Sequence, residues 1–413
     1  MSYLKDIRLK TPNLKIINTI IKKYKKNTKF KLKKIKKTKQ KKSKKMLNKY
    51  ILFLIILPLI TPQKNIEEIK TQITESCNDP THKHYTQISL GYITPWKKKG
   101  YEMVEKYYNK FDIISPTWFE LKGDNYGGEF NIRIDGGNNV DMSYLKEIRS
   151  KNPNMKIIPR LHCEQLSFED YKNWFNGKSL DNFIKILLRR ADYNNLDGFI
   201  FDCIQFWMNE DIYKYFTKAL PLISDALHKK NKQIIITLFP YSENDIKNEV
   251  NDKNFEYLSN YIDYFNIMTY DYLQYSKQEN ENNEDKFFNA PLNWIKKTID
   301  YYVPNNNTNL LKKILLGLPF HGYIIEKNDK RKGSILDSDK YEMFVNTIDE
   351  GLKWDEIACE HTIMGKEDNI DIVAIYPTRD FFKERLKYSL DKKLGGIAIW
   401  DIGNGIENFM NEF

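Results

Sequence analysis

Leu196-Asp197-Gly198-Phe199-Ile200-Phe201-Asp202-Cys203-Ile204 is an almost unbroken apolar run with an acid at each end. Such a run fits a strand buried on both faces, as in parallel sheets. An amphipathic helix at 180–193 precedes it. Working outward, the same alternation of short β-rich runs and helical patterns repeats along the chain. Strands are expected at 88–95, 111–121, 155–164, 196–206, 233–240, 264–272, 314–323 and 395–403. Helices are expected at 142–151, 180–193, 211–230, 292–302 and 378–393. Eight strands separated by helices imply right-handed βαβ units and a parallel sheet. The apolar strands Ile234-Ile235-Ile236 and Ile397-Ala398-Ile399 favour closure into an α/β (β/α)8 TIM barrel. No G-x-G-x-x-G follows the first strand, so a dinucleotide fold has no support. Residues 324–377 are too many for a loop and read as a small α+β insertion between strands seven and eight. The acidic, Asn-rich stretch 274–289 reads as an exposed, mobile loop.

Charge divides the chain. The formal net charge is +11, but residues 1–45 hold 19 Lys/Arg against the single acid Asp6, which leaves 46–413 at −7. The basicity therefore belongs to a tail, and the folded part lacks the clustered cations that nucleic acid requires. Met46 opens a short basic stretch and an apolar run from Tyr50 to Ile60. Residues 46–63 read as a cleaved signal peptide, too short to span a bilayer. The expected localisation is the secretory pathway, either secreted or in the lysosomal or ER lumen, with no stable membrane span after cleavage. Residues 1–17 match 142–158 at 13 of 17 positions. A single helix-to-strand copy cannot bury a core, so 1–45 is either a gene-model artefact or a disordered basic arm. Residues 64–87 are polar and aperiodic and read as a leader. The four cysteines, Cys77, Cys163, Cys203 and Cys359, form no C-x-x-C pair, and all three pairings stay open. Asn306-Asn307-Thr308 is a glycosylation acceptor in a secreted chain.

In such a barrel the site lies at the C-terminal strand ends. There the sequence places Tyr92 and Trp96, Trp118 and Glu120, His162 and Glu164, Asp202, then Met268, Tyr270 and Asp271, and finally Trp400 and Asp401. Aromatic rings cover the apolar face of a sugar and carboxylates accept its hydroxyls. His162 and Glu164 lack a third ligand, so neither a metal nor another cofactor is expected. Asp202 has a second reading, as a buried carboxylate paired with Arg160 or His162.

Four features resemble glycoside hydrolase family 18. Asp197–Ile204 looks like its D-G-x-D-x-D-x-E signature, Met268-Thr269-Tyr270-Asp271 like its M-x-Y-D, Trp400 like its tryptophan floor, and 324–377 like its insertion. The resemblance spans residues 88–413 and is nearest to the chitinase domain-containing protein 1 group. With that group the chain shares Leu90-Gly91-Tyr92-Ile93-Thr94-Pro95-Trp96, Ile114-Ser115-Pro116, Ile158-Pro159-Arg160-Leu161, Asn289-Ala290-Pro291-Leu292 and Ile399-Trp400. The resemblance implies sugar contacts from Tyr92, Trp118, Asp202, Met268, Tyr270, Asp271 and Trp400 and an N-acetylglucosamine-type oligosaccharide as ligand.

The departures weigh more. Period-two alternation puts 200, 202 and 204 on one inward face of the strand, where the family has Asp, Asp and Glu and this chain has Ile200, Asp202 and Ile204. Isoleucine has no proton for a leaving oxygen, which implies a sugar-binding pseudo-enzyme. Two alternatives stay open. One is an active hydrolase with a displaced acid, Glu164 first and then Glu120 or Asp202. The other is a scaffold for a protein partner whose identity is unknown.

Overall fold

The structure, a computed structural model, describes residues 66–126, 129–163, 166–242, 248–275, 287–327, 329–348, 352–367 and 369–413. The tail and signal segment at 1–63 lie outside them. The strands are β1 (Ile88–Ile93), β2 (Ile113–Pro116), β3 (Phe119–Tyr126), β4 (Glu129–Asp135), β5 (Lys156–Ile157), β6 (Arg160–His162), β7 (Gly198–Asp202) and β8 (Gln233–Leu238). They continue as β9 (Tyr264–Ile267), β10 (Ile314–Pro319), β11 (Gly322–Glu326), β12 (Asp329–Leu336), β13 (Lys353–Asp355), β14 (Glu360–Glu367), β15 (Ile370–Ile375) and β16 (Gly396–Trp400).

β6, β7, β8, β9, β10, β16, β1 and β2 follow one another in a curled sheet, and every neighbouring pair from β6 to β2 is parallel. The second and third strands are each divided. β2 pairs with β5, while β3 pairs with β6 through Phe119↔Leu161 and Glu120↔His162. The breaks fall at Thr117-Trp118 and Ile158-Pro159. Proline has no N–H to give a ladder, but the Pro159 carbonyl still accepts from Ile200 N (2.9 Å), and Ile158 N reaches Ile114 O (3.0 Å). With each divided run counted as one strand, the parallel ring closes.

The ring is filled by its own inward side chains. Leu90 and Tyr92, Ile113, Ile158, Ile200, Ile235, Leu315 and Ala398 form one buried cluster, with Ile88, Tyr264 and Trp400 packed against it. All eight strand positions contribute, and each fully buried Leu or Ile stabilises by about 1.5–3 kcal/mol relative to exposure. Gly198 opens β7 because a Cβ there would lie 2.1 Å from Gln233 O and the backbone φ is +154°. Helices pack outside. Gly177–Tyr193 buries Leu180, Phe183, Leu187 and Ala191, a single stripe at helical spacing. The helix Met142–Lys151 is capped by Asp141, whose carboxylate accepts from Ser143 N and Tyr144 N.

Between β10 and β16 stands a second, antiparallel sheet in the order β12-β11-β15-β14-β13, with the helix Ser338–Val345. Among the described residues no helix is long and apolar enough to cross a membrane.

Several expectations need correcting. The second strand does not run through 111–121. It breaks, and its second half forms a hairpin with β4 from Glu120↔Asp135 to Tyr126↔Glu129. Part of the polar segment 64–87 is a helix, Ile66–Thr74, which buries Ile69, and Cys77 and Tyr85 are buried beyond it. The stretch 274–289 is not wholly exposed. Phe287, Phe288 and Asn289 are buried, and 276–286 lie outside the described residues. The inward alternation of strand four ends at Asp202. Ile204 has helical backbone angles and precedes the short helix Gln205–Met208, so it does not share the ladder face of Ile200 and Asp202.

Candidate functional site

Two groups of polar side chains form at the C-terminal ends of the ring strands. The first surrounds Asp202, the last residue of β7. Strand register sets Arg160 beside Ile200 and His162 beside Asp202. The Asp202 carboxylate lies 3.2 Å from Arg160 Nη1 and 3.4 Å from His162 Nδ1, and it accepts from the Thr237 hydroxyl at 2.7 Å. Burial pushes this carboxyl up. The His162 contact, the Arg160 guanidinium and the Thr237 hydroxyl outweigh that and hold it below the ordinary carboxylate range. It is therefore an ionised, paired acid. Ile200 is fully buried in the ring interior, and Ile204 is partly buried against the surrounding core. Cys163 and Cys203 follow His162 and Asp202 directly and are joined in a disulfide, with Cα atoms 4.9 Å apart. Closing this 40-residue separation stabilises by about 4 kcal/mol in the loop-entropy model. Cys77 and Cys359 are free and buried.

The second group surrounds Asp271, just past β9. Its carboxylate accepts from His321 Nε2 at 2.9 Å and from the Tyr323 hydroxyl at 2.6 Å. Burial again pushes the carboxyl up, and the His321 and Tyr323 hydrogen bonds overcome it and bring it below its usual value. Asp271 has φ +60°, a left-handed conformation that a non-glycine residue adopts only when its surroundings impose it. Its N–H donates to Asn289 Oδ1 at 2.9 Å, and Asn289 Nδ2 donates to His321 O at 2.9 Å. Tyr270 is buried beside them, its ring edge-on to His321 with centroids 5.8 Å apart. Burial, reinforced by the Asp271 charge, raises its phenol well above the ordinary range. Met268 is partly buried, and its N–H is fixed on Leu238 O at 3.0 Å.

Trp400 closes the ring interior from above. Tyr92 meets it edge-on with centroids 5.2 Å apart, and Arg160 lies 5.2 Å from its ring centroid. Its carbonyl accepts from Phe320 N at 2.8 Å and lies 3.4 Å from His321 Nδ1. The Tyr92 hydroxyl accepts from Asn266 Nδ2 at 2.8 Å inside the ring. Trp118 is placed differently. It is buried where strand two breaks, and its indole N–H donates to the Tyr101 hydroxyl at 3.0 Å. Glu120 is half-exposed on β3 and pairs with Lys122 at 3.0 Å. Trp96, past the end of β1, is 71% exposed. Glu164 lies outside the described residues. Among the described residues no group of three or more His, Cys, Asp or Glu could hold a metal ion.

Sequence reasoning overlooked His321, Tyr323, Thr237, Asn266 and Asn289 as parts of these groups. Period-two spacing past Pro319 carried a signal for the first two, since 321 and 323 alternate with the strand. Asn289 carried one only as part of the shared run Asn289-Ala290-Pro291-Leu292 and none through spacing, because its partners are distant in sequence.

Two ionised, hydrogen-bonded carboxylates and an aromatic floor can hold hydroxyl and amide groups. A family model described as glycosyl hydrolases family 18 matches residues 88–405. Solved structures share the fold. A chitinase from Chromobacterium violaceum aligns at TM-score 0.65 with 16% identity, covering 79% of this chain and 98% of that one. A spore cortex-lytic enzyme from Bacillus megaterium aligns at 0.62 with 15% identity, covering 78% and 72%. A chitinase from Cycas revoluta in complex with (GlcNAc)3 aligns at 0.60 with 14% identity, covering 79% and 98%.

Proposed function

The chain belongs to glycosyl hydrolases family 18, and from that premise we propose that it binds N-acetylglucosamine-type oligosaccharides without hydrolysing them. The observation that carries this reading is Asp202 held ionised by Arg160, His162 and Thr237, with isoleucine at 200 and 204. Substrate-assisted glycoside cleavage uses the sugar's own acetamido oxygen as nucleophile, so the protein must supply a proton to the leaving oxygen. An ion-paired Asp202 has none to give near neutral pH, and isoleucine has none at any pH. Loss of general-acid catalysis alone removes about 10²–10⁴ in rate.

The binding half is intact. Asp271 is fixed by His321, Tyr323 and Asn289, Tyr270 packs edge-on against His321, Met268 lies in the same turn, and Trp400 offers a ring to stack on, which supports capture of an N-acetyl group. The trisaccharide in the Cycas revoluta structure supports the ligand class. The runs shared with the chitinase domain-containing protein 1 group support a place among its non-catalytic members. The Cys163–Cys203 disulfide supports a life in the secretory pathway, in a lumen or outside the cell.

Calorimetry with chitotriose tests the reading. Saturable binding at micromolar to millimolar affinity is expected, with at least about five-fold loss in Trp400→Ala, because ring stacking alone is worth about 1 kcal/mol or more. No binding at millimolar sugar would overturn it. So would turnover of a fluorogenic chitotrioside that disappears in Glu164→Gln.

A further inference from the structure

We propose that Glu360, on the inserted sheet, is a positioning residue for the sugar-binding end of strand six, acting through Asn289 on Asp271. The proposal rests on the sugar-binding reading above and adds a means of regulating that site. Glu360 is buried on β14, and its two oxygens accept from consecutive backbone amides. Oε2 takes Asn289 N at 2.9 Å and Oε1 takes Ala290 N at 2.6 Å. The Asn289 side chain then reaches the opposite way. Its Oδ1 takes the N–H of Asp271, and its Nδ2 holds the carbonyl of His321. One carboxylate on the inserted sheet therefore fixes the residue that fixes both Asp271 and its partner.

The far side of Glu360 is anchored as firmly. Arg385 is fully buried on the helix Arg379–Lys392. Its Nη2 donates to Ala290 O at 2.7 Å and Ala358 O at 2.9 Å and lies 3.5 Å from Glu360 Oε1, while Nη1 donates to Cys359 O at 2.7 Å. Arg385 thus grips the same Asn289-Ala290 segment from its carbonyl side. Asp271 adopts its left-handed backbone beside this clamp, and the hydrogen bond from its N–H to Asn289 is what the clamp contributes to the turn.

The clamp has a titratable centre. Burial pushes the Glu360 carboxyl up to about 7, against the pull of the Arg385 guanidinium and the two backbone amides, and the Asp355 charge on β13 adds to the rise. These are the charged groups that face it: Arg385 from the helix and Asp355 from the neighbouring strand. Ionised Glu360 accepts both amides. Protonated Glu360 carries a hydrogen on one oxygen and turns a donor toward one of them. The turn at Asp271 is therefore best fixed above pH 7. Folding stability runs the other way. A carboxyl whose folded value is raised binds its proton more tightly in the folded chain, so its contribution falls as pH rises from the unfolded value toward 7. A purely structural role would make sugar affinity and stability change together; a positioning role sets them apart.

The test measures chitotriose affinity of the full chain from pH 5.5 to 8.5, beside the melting temperature. Affinity is expected to rise several-fold through about pH 7. In Glu360→Gln that rise should vanish, with affinity at pH 8 reduced several-fold, as expected for loss of a supporting hydrogen bond. A variant that keeps the parent's affinity and pH profile overturns the proposal. Failure of the parent to bind sugar at any pH would instead overturn the sugar-binding reading. Amide hydrogen exchange over residues 268–272 of the unliganded protein then decides positioning by itself. Faster exchange at fixed pH in Glu360→Gln and in Asn289→Ala supports the proposal, and unchanged exchange in both overturns it.

Discussion

The two strand ends with surviving carboxylates are built on different terms. At the end of strand four, Asp202 faces a guanidinium and sits among isoleucines, and a disulfide ties its neighbour to strand three. At the end of strand six, Asp271 is held by a histidine and a phenol and sits in a left-handed turn supported from the inserted sheet. An ion pair with a fixed cation spends a carboxylate on structure. A carboxylate held by directional hydrogen bonds keeps lone pairs for a ligand. Under the sugar-binding proposal, the strand-four end is expected to act mainly on stability and the strand-six end mainly on binding.

That division can be broken by experiment. The largest effect is expected from replacing both Cys163 and Cys203 by serine, which should cost about 4 kcal/mol in chemical denaturation and leave chitotriose affinity within about two-fold; a larger loss of affinity would place the strand-four end in the binding surface. Next comes Arg160→Met, which strands the Asp202 carboxylate and should cost about 3 kcal/mol at pH 7, given the low solvent access of both side chains. The sign with pH is fixed. Asp202 has a depressed folded value, so its paired contribution is present above the unfolded range near 3.8 and fades as pH falls through the folded value. The gap between parent and variant should narrow in acid, and a constant gap would show that packing of Arg160 on Trp400 dominates. The smallest effect is Tyr323→Phe. It removes one hydrogen bond to a charged group, worth about 1.5 kcal/mol, and should appear as weaker sugar binding more than as a lower melting temperature. The reverse balance would erase the distinction between the two ends.

The features legible in the sequence were those carried by local pattern. Ile200 and its neighbours announced a buried strand, and the helices Met142–Lys151 and Leu292–Tyr302 begin and end where their apolar spacing does. The divided second strand was not legible, because Trp118 continues the apolar run while the chain breaks its ladder there. The hairpin of β3 and β4 was missed because polar and charged residues break the apolar run beyond Leu121, and the strand there pairs mainly with its own partner. At the site, Asp202, Tyr270, Asp271 and Trp400 were legible from motif residues at strand ends. Their support was not. Asn289 and His321 reach Asp271 across 18 and 50 residues of chain, and Glu360 reaches Asn289 across 71; of the three, only His321 lies on a local spacing that could have signalled it.

A closed ring has no free edge for another molecule's backbone to join. The inserted sheet has two, because its order leaves β12 and β13 on the outside. Open edges invite self-association by strand addition. β13 is only three residues long and carries the exposed Lys353, and a short edge with a lysine on it is a poor template for an added strand. That short, charged edge gives the inserted sheet a solubility safeguard that the ring does not need. Replacing Lys353 with an apolar β-branched residue is the change most apt to turn that edge toward self-association, with the barrel itself left untouched.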